Sequence, residues 1–270
     1  MKNQPSRCLR TSLASMTLFL LMSFQAAALQ VAEAQVTDAQ IEAQKSPSSA
    51  LQDNLQIPNT MEQRLAACSQ CHGEYGYGNA TDPNIPRLAE KPAGYLYKQL
   101  LSFKNGEGRN QAMEYVVRQL SPAYMQEIAQ YYAAQRIPYQ QYPIPELAEE
   151  VLARGELLAK EGDPARGVPA CAHCHGGKLT GVNPMIPGVL NQPYDYMVSQ
   201  LKLWRSNKRS TESTQCMQVV AKRMRKGDAE AVAAWLAIQP LPENREPISM
   251  QALPEELPGW CVLEENEVNL

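Results

Sequence analysis

Cys68-Ser69-Gln70-Cys71-His72-Gly73 recurs 103 residues later as Cys171-Ala172-His173-Cys174-His175-Gly176. C-x-x-C followed directly by His is the attachment pattern of c-type haem. Two thiols on one helical turn form thioethers with the vinyl-derived positions of the porphyrin, and the adjacent imidazole then lies beneath the iron as an axial ligand. A lone C-x-x-C also reads as a thioredoxin-like redox pair or as half of a zinc site. The first expects a βαβ context that the sequence lacks, and the second needs two motifs to converge from separate domains. Recurrence with a His after each second Cys selects haem: two covalently bound haem c groups, at Cys68/Cys71 with His72 and at Cys171/Cys174 with His175.

The sixth ligand follows from histidine arithmetic. The chain has three His. His72 and His175 are committed, and His173 sits inside the second motif, unable to swing easily to the opposite face of its own haem. Methionine is the natural alternative, and His/Met ligation raises the potential of cytochromes c. Of eleven Met, most are core filler or leader residues. A duplicated site should duplicate its ligand, and the repeat aligns Met125 with Ala229, Met224 with Leu120, Met197 with Leu96 and Met185 with Asn84. Only Met113 and Met217 align with each other, so they are the expected sixth ligands. Ile85-Pro86 and Ile186-Pro187 also match. A carbonyl near either proline is positioned to accept the Nδ1–H of the ligating His and fix its tautomer. Arg109 and Arg209, just before the Met positions, are candidates to meet haem propionates or to be solvated charges.

The elements that must hold these groups read as helical. Similarity between the copies runs through Pro92, Tyr95, Gln99 and Leu100 against Pro193, Tyr196, Gln200 and Leu201, so the chain is a tandem duplication. Thr60-x-x-Gln63 has the form of a capping box opening the helix that leads into the first motif. Pro92 and Pro193 are expected at the first helical position of the next helices. Ser121-Pro122 starts a helix with Met125, Ile128, Ala129 and Tyr132 on its apolar face, and Gly227-Asp228 starts its counterpart. The expected fold is all-α, two tandem cytochrome c-like helical domains each wrapped around one haem. They span 60–137 and 146–240, joined by a Pro-rich linker at 138–145. An N-terminal extension (29–59) and an acidic, Pro-rich C-terminal tail (241–270) complete the chain.

Composition narrows the setting. The net charge of −3 over 270 residues gives no basic surface for nucleic acid. Lys2, Arg7 and Arg10 precede an apolar Leu13–Phe24 run and small residues at 26–28 and 32–34, the plan of a secretory signal cleaved after Ala28 or Ala34. Periplasmic export follows. Removal of residues 1–28 takes away three positive charges and Cys8, leaving −6 and six cysteines. Haem attachment uses four, and an exported protein rarely keeps two free thiols, so Cys216 and Cys261 are expected to form a disulfide.

With these residues in hand, the chain resembles the dihaem cytochrome c4 family, tandem class I cytochrome c domains, over roughly Thr60 to Pro240. The resemblance rests on both C-x-x-C-H-G motifs, the Ile-Pro pairs, the Tyr-x-x-x-Gln-Leu helices and the two late Met. It implies a periplasmic electron carrier, soluble or membrane-associated, that is not itself an enzyme. Its partners are then redox proteins, an electron donor and an acceptor such as a terminal oxidase. Two alternatives stand beside it: a dihaem peroxidase, disfavoured because no His is spare for distal catalysis, and a cytochrome subunit of a dehydrogenase complex.

Overall fold

The computed structural model describes residues 60–79, 82, 84–108, 110–209, 215–240 and 242–263. The expected signal peptide, the N-terminal extension and Arg109 lie outside the described residues. Among the described residues no helix is long and apolar enough to cross a membrane.

The first half opens with α1 (Met61–Arg64) and α2 (Ala66–His72), which join at the fully buried Leu65. Thr60 accepts a hydrogen bond from the Gln63 N–H, the N-cap half of the expected box. α3 (Ala93–Lys104), α4 (Gln111–Val117) and α5 (Pro122–Ala134) follow. Ser121 caps α5 and Pro122 occupies its first turn, as the Ser-Pro signal predicts. Pro92 stands one residue earlier than expected. It is the N-cap of α3, with ψ 136°, because the ring constrains φ and leaves ψ free to stay extended. α3 packs across α5, and their shared core joins Leu65, Leu96, Tyr97, Met125, Ile128, Ala129 and Tyr132.

The second half repeats this plan with additions. α6 (Glu149–Lys160) precedes the second motif helix, α7 (Cys171–His175). α8 (Tyr194–Arg205), capped by Pro193 as α3 is by Pro92, leads to α9 (Gln215–Arg223) and α10 (Asp228–Ala237). α10 is buried from Ala231 to Leu236, being apolar nearly all round, and packs between α6 and α8. The α6–α10 approach needs Gly155, since a Cβ there would stand 2.2 Å from the Ala231 carbonyl oxygen. Arg154 fastens the same crossing by ion pairs to Asp163 and to Asp228 in the first turn of α10, both at 2.8 Å.

A small sheet is added to the helical plan. β1 (Gly181–Asn183) pairs antiparallel with β2 (Ile186–Pro187) and parallel with β3 (Ile248–Ser249), which comes from the C-terminal tail. The tail is therefore irregular for most of its length but seated on the second half.

Residues 135–148 carry no helix or strand, yet they are packed. Arg87, almost fully buried, donates to the carbonyls of Ile137 and Pro138. The Tyr142 hydroxyl donates to the Tyr77 carbonyl at 2.7 Å, and Asn191 hydrogen-bonds the Gln140 backbone. Buried backbone groups of the crossing segment thus find partners in both halves.

Candidate haem sites

Each motif helix delivers its histidine to a buried position and stops. Gly73 and Gly176 end the two helices at φ 77° and 80°, a backbone conformation that disfavours side chains other than glycine's. That conformation turns the chain away directly after the imidazole, which explains the glycine in both copies. His72 Nδ1 lies 3.1 Å from the Pro86 carbonyl oxygen and His175 Nδ1 lies 2.7 Å from that of Pro187. A carbonyl only accepts, so Nδ1 carries the proton and Nε2 keeps its lone pair. Burial lowers both imidazoles below the ordinary histidine range, with the carbonyl opposing. The two rings are therefore neutral, oriented and ready to ligate a metal through Nε2.

Cys68, Cys171 and Cys174 are unactivated thiols. Burial raises the Cys68 thiol and pushes Cys171 up to about 12 and Cys174 up to about 11. A thioredoxin-like nucleophile needs the opposite shift. Cys71 is exposed.

In the second half, Cys171, His175 and Met217 line one apolar cavity, walled further by Leu158, Val189 and Leu236. The structure thus brings together residues 42 positions apart, His175 and Met217, which the repeat alone had paired. Met197 and Met224 line the cavity as well. Met224 belongs to the helical core, and the repeat offers neither of them a methionine counterpart. Met125 is fully buried in the first core and Met185 is buried, in keeping with packing roles. Met113 stands half-buried in the first turn of α4, where its N–H takes the cap from Asn110. The chemistry of the second donor set fits a haem: a neutral His, a thioether, half-buried thiols and an apolar wall.

His173 turns away from the cavity and engages the tail, with Nε2 3.1 Å from the Glu256 carbonyl and Nδ1 3.3 Å from the Glu255 carboxylate. Arg209 is buried between the halves. It donates to Gln99, 2.6 Å away, and to Gln200, its repeat equivalent, and lies over the Trp204 ring. Tyr95 and Tyr196, another equivalent pair, face the same guanidinium. Among the described residues no carboxylate pairs with it.

Cys216 and Cys261 are joined in a disulfide, with Cα atoms 4.6 Å apart. Sequence reasoning did not find the reciprocal contacts between the halves. Lys91 Nζ donates to the Gly188 carbonyl, while the Gln192 side chain exchanges two hydrogen bonds with the Arg87 backbone. A signal was present: Lys91-Pro92 and Gln192-Pro193 occupy the same place in the repeat, and Gly188 aligns with Arg87. Each half therefore lays its pre-proline side chain on the residue after the other half's Ile-Pro pair.

No protein-family model matches the chain. A thiosulfate dehydrogenase electron acceptor of Thiomonas intermedia (strain K12) is 39% identical over 176 residues, 65% of this chain and 80% of the relative. Cytochrome c4 of Pseudomonas aeruginosa is 30% identical over 175 residues, 64% of this chain and 84% of the relative. Among solved structures, Acidithiobacillus ferrooxidans cytochrome c4 superposes with a TM-score of 0.55 at 28% identity, covering 64% of this chain and 98% of that one. Thiosulfate dehydrogenase (TsdBA) of Marichromatium purpuratum gives a TM-score of 0.59 at 30% identity over 67% of this chain, and the match spans 38% of that protein's length. Likeness at this level along most of a relative's length carries fold and family together: the chain belongs to the cytochrome c4 family, as an electron-transfer protein that carries haem c.

Proposed function

We propose that this chain is a periplasmic dihaem carrier of single electrons, with one haem c at Cys68/Cys71 ligated by His72 and Met113 and the other at Cys171/Cys174 ligated by His175 and Met217. The observation that carries the reading is the shared apolar cavity of Cys171, His175 and Met217, with the imidazole's Nδ1–H engaged by the Pro187 carbonyl. The first half repeats the histidine–carbonyl pair at His72 and Pro86. When bound, haem c supplies a one-electron Fe(III)/Fe(II) couple. The protein's part is to hold two ligands of unlike softness on each centre, keep water out and orient the rings. Arg209 contributes a buried positive charge between the halves, held by Gln99, Gln200 and the Trp204 ring, which a haem propionate would offset. The family resemblance and the apolar leader run support the periplasmic setting.

The donor we infer is a thiosulfate dehydrogenase. Two relatives bear the name thiosulfate dehydrogenase electron acceptor, and a structural neighbour is titled as that dehydrogenase. The acceptor is a terminal oxidase or another redox protein. Stopped-flow mixing of the oxidised holoprotein with a thiosulfate dehydrogenase and thiosulfate tests the reading. Reduction of both haems, followed by reoxidation on adding a c-type acceptor and no consumption of hydrogen peroxide, is the expected result. Sustained peroxide turnover overturns the carrier role in favour of a peroxidase.

A further inference from the structure

The C-terminal tail touches every element that carries a ligand of the second site. Arg245 first anchors it to the first half and the crossing segment, through Glu90 at 2.8 Å and the Ile137 carbonyl at 2.6 Å. β3 then pairs with β1, next to β2 and the Pro187 carbonyl that holds His175. Glu255 and Glu256 grip His173 on the motif helix α7. Trp260 and Cys261 finally reach α9: the Arg223 guanidinium lies over the Trp260 ring, and Cys261 is bonded to Cys216.

α9 is thereby held on two faces. Met217 and Val220, spaced i and i+3, face the cavity, with Met224 just past the helix end. Cys216 and Arg223, spaced i and i+7, face the tail. The covalent bond falls on the residue next to Met217, and the histidine grip falls between the two haem cysteines. The first half has Ala112 where the second has Cys216. Its ligand helix α4 instead presents Tyr115 and Val116 to solvent.

We propose that residues 245–261 are a clamp that keeps Met217 on the second haem iron, acting through the Cys216–Cys261 bond, so that the two methionine ligands leave their irons at unequal rates. Cys216 is a positioning residue. In the clamp, departure of the thioether from the iron draws the first turn of α9 out of the cavity. The tether joins that turn to a segment fixed on β1 and α7, so local opening of the turn has to carry the tail with it. The inference rests on Met217 being the second site's ligand, as proposed above.

Carbon monoxide binding to the fully ferrous, full-length holoprotein tests it, because at saturating gas the observed rate is that of methionine departure. Ferrous iron on both sides of the comparison removes any effect of added reductant on the haem. With the disulfide intact, two phases are expected. Opening the bond with a phosphine reductant, or in C216S/C261S, should speed the slow phase about tenfold or more and leave the fast phase within about twofold. The potential of one centre should fall while the other stays put. Met217→Ala should abolish the slow phase. If Met217→Ala removes the slow phase but bond opening leaves its rate unchanged, the clamp is wrong and the ligand assignment stands. If Met217→Ala leaves both phases intact, the ligand assignment fails and the clamp falls with it. Reduction of the folded wild-type protein keeps the test decisive if the double variant does not fold.

Discussion

The two halves of this protein repeat a motif and differ in what surrounds it. Both end a short helix at a histidine, turn at a positive-φ glycine and fix Nδ1 with the carbonyl of an Ile-Pro pair. Around the second histidine stand α6, a three-stranded sheet, the Arg154 ion pairs, the tail and a disulfide. Around the first, the described residues show an exposed Cys71 and exposed Tyr75, Tyr77 and Tyr115. The histidine and its carbonyl partner are duplicated, while the packing around them is elaborated on one side. Orienting the imidazole needs little more than a helix end and one carbonyl.

Substituting the ligands should break this comparison most severely. Met113→Ala and Met217→Ala are each expected to remove about half of the methionine–iron charge-transfer absorption, lower one reduction potential and open one iron to added ligands. Met125→Ala should leave that absorption intact and lower stability by about 2–5 kcal/mol, since it empties a fully buried core position. Absorption spectra with denaturant titration separate the two behaviours.

Removing the tether sharpens the comparison. C216S/C261S opens a loop of 45 residues, for which the chain-entropy picture gives a loss of about 3–4 kcal/mol. The loss should fall on the second half, with exchange of α9 amides rising and that of α3 and α5 unchanged. Equal loosening of both halves would show that the tail braces the molecule as a whole.

The ion pairs on α10 predict a pH dependence confined to the same half. Burial pushes the Asp228 carboxyl upward, but the Arg154 guanidinium and the Arg225 N–H outweigh it, and the group ends below the ordinary carboxylate range. A carboxyl with a depressed folded-state pKa contributes stability that is complete above the unfolded value. That stability is lost as pH falls through the folded one. Asp228→Asn should therefore lower stability near neutral pH by about 1–3 kcal/mol and flatten the acid limb of the stability–pH curve. Thermal unfolding from pH 7 downward reads both.

The helix caps give the smallest effect. Ser121→Ala removes the side chain that accepts the Tyr124 N–H and should cost the first half about 1 kcal/mol. The counterpart α10 has Gly227 at its N-cap, which carries no side chain and so no cap to lose.

Much of this was legible in the sequence because duplication acts as an internal control. It paired the Ile-Pro carbonyls with the histidines, pointed to Met217, which lines one cavity with His175, and set Cys216 apart from the repeated chemistry, leaving Cys261 as its partner. Ser121-Pro122 announced α5 with its buried Met125, Ile128 and Tyr132. Four things were hidden. The N-cap of α6 is Ala148, whose methyl group cannot accept a hydrogen bond, so no capping signal was written. β3 is two residues long, too short for alternation to register. Pro92 and Pro193 fell one position from their expected place because proline's φ suits the N-cap and the first helical residue alike. The contacts of Lys91 and Gln192 across the halves depend on long-range packing, which a single sequence records only through its repeat.

One chain is expected to carry two covalently attached haems of the same ligand type. Intact mass of the exported protein, with haem content measured on the same sample, tests it most directly. The account predicts a mature chain bearing two haems, with both additions mapped to Cys68/Cys71 and Cys171/Cys174 peptides. A mass corresponding to one haem or none, or an attachment peptide lacking either motif, would contradict it.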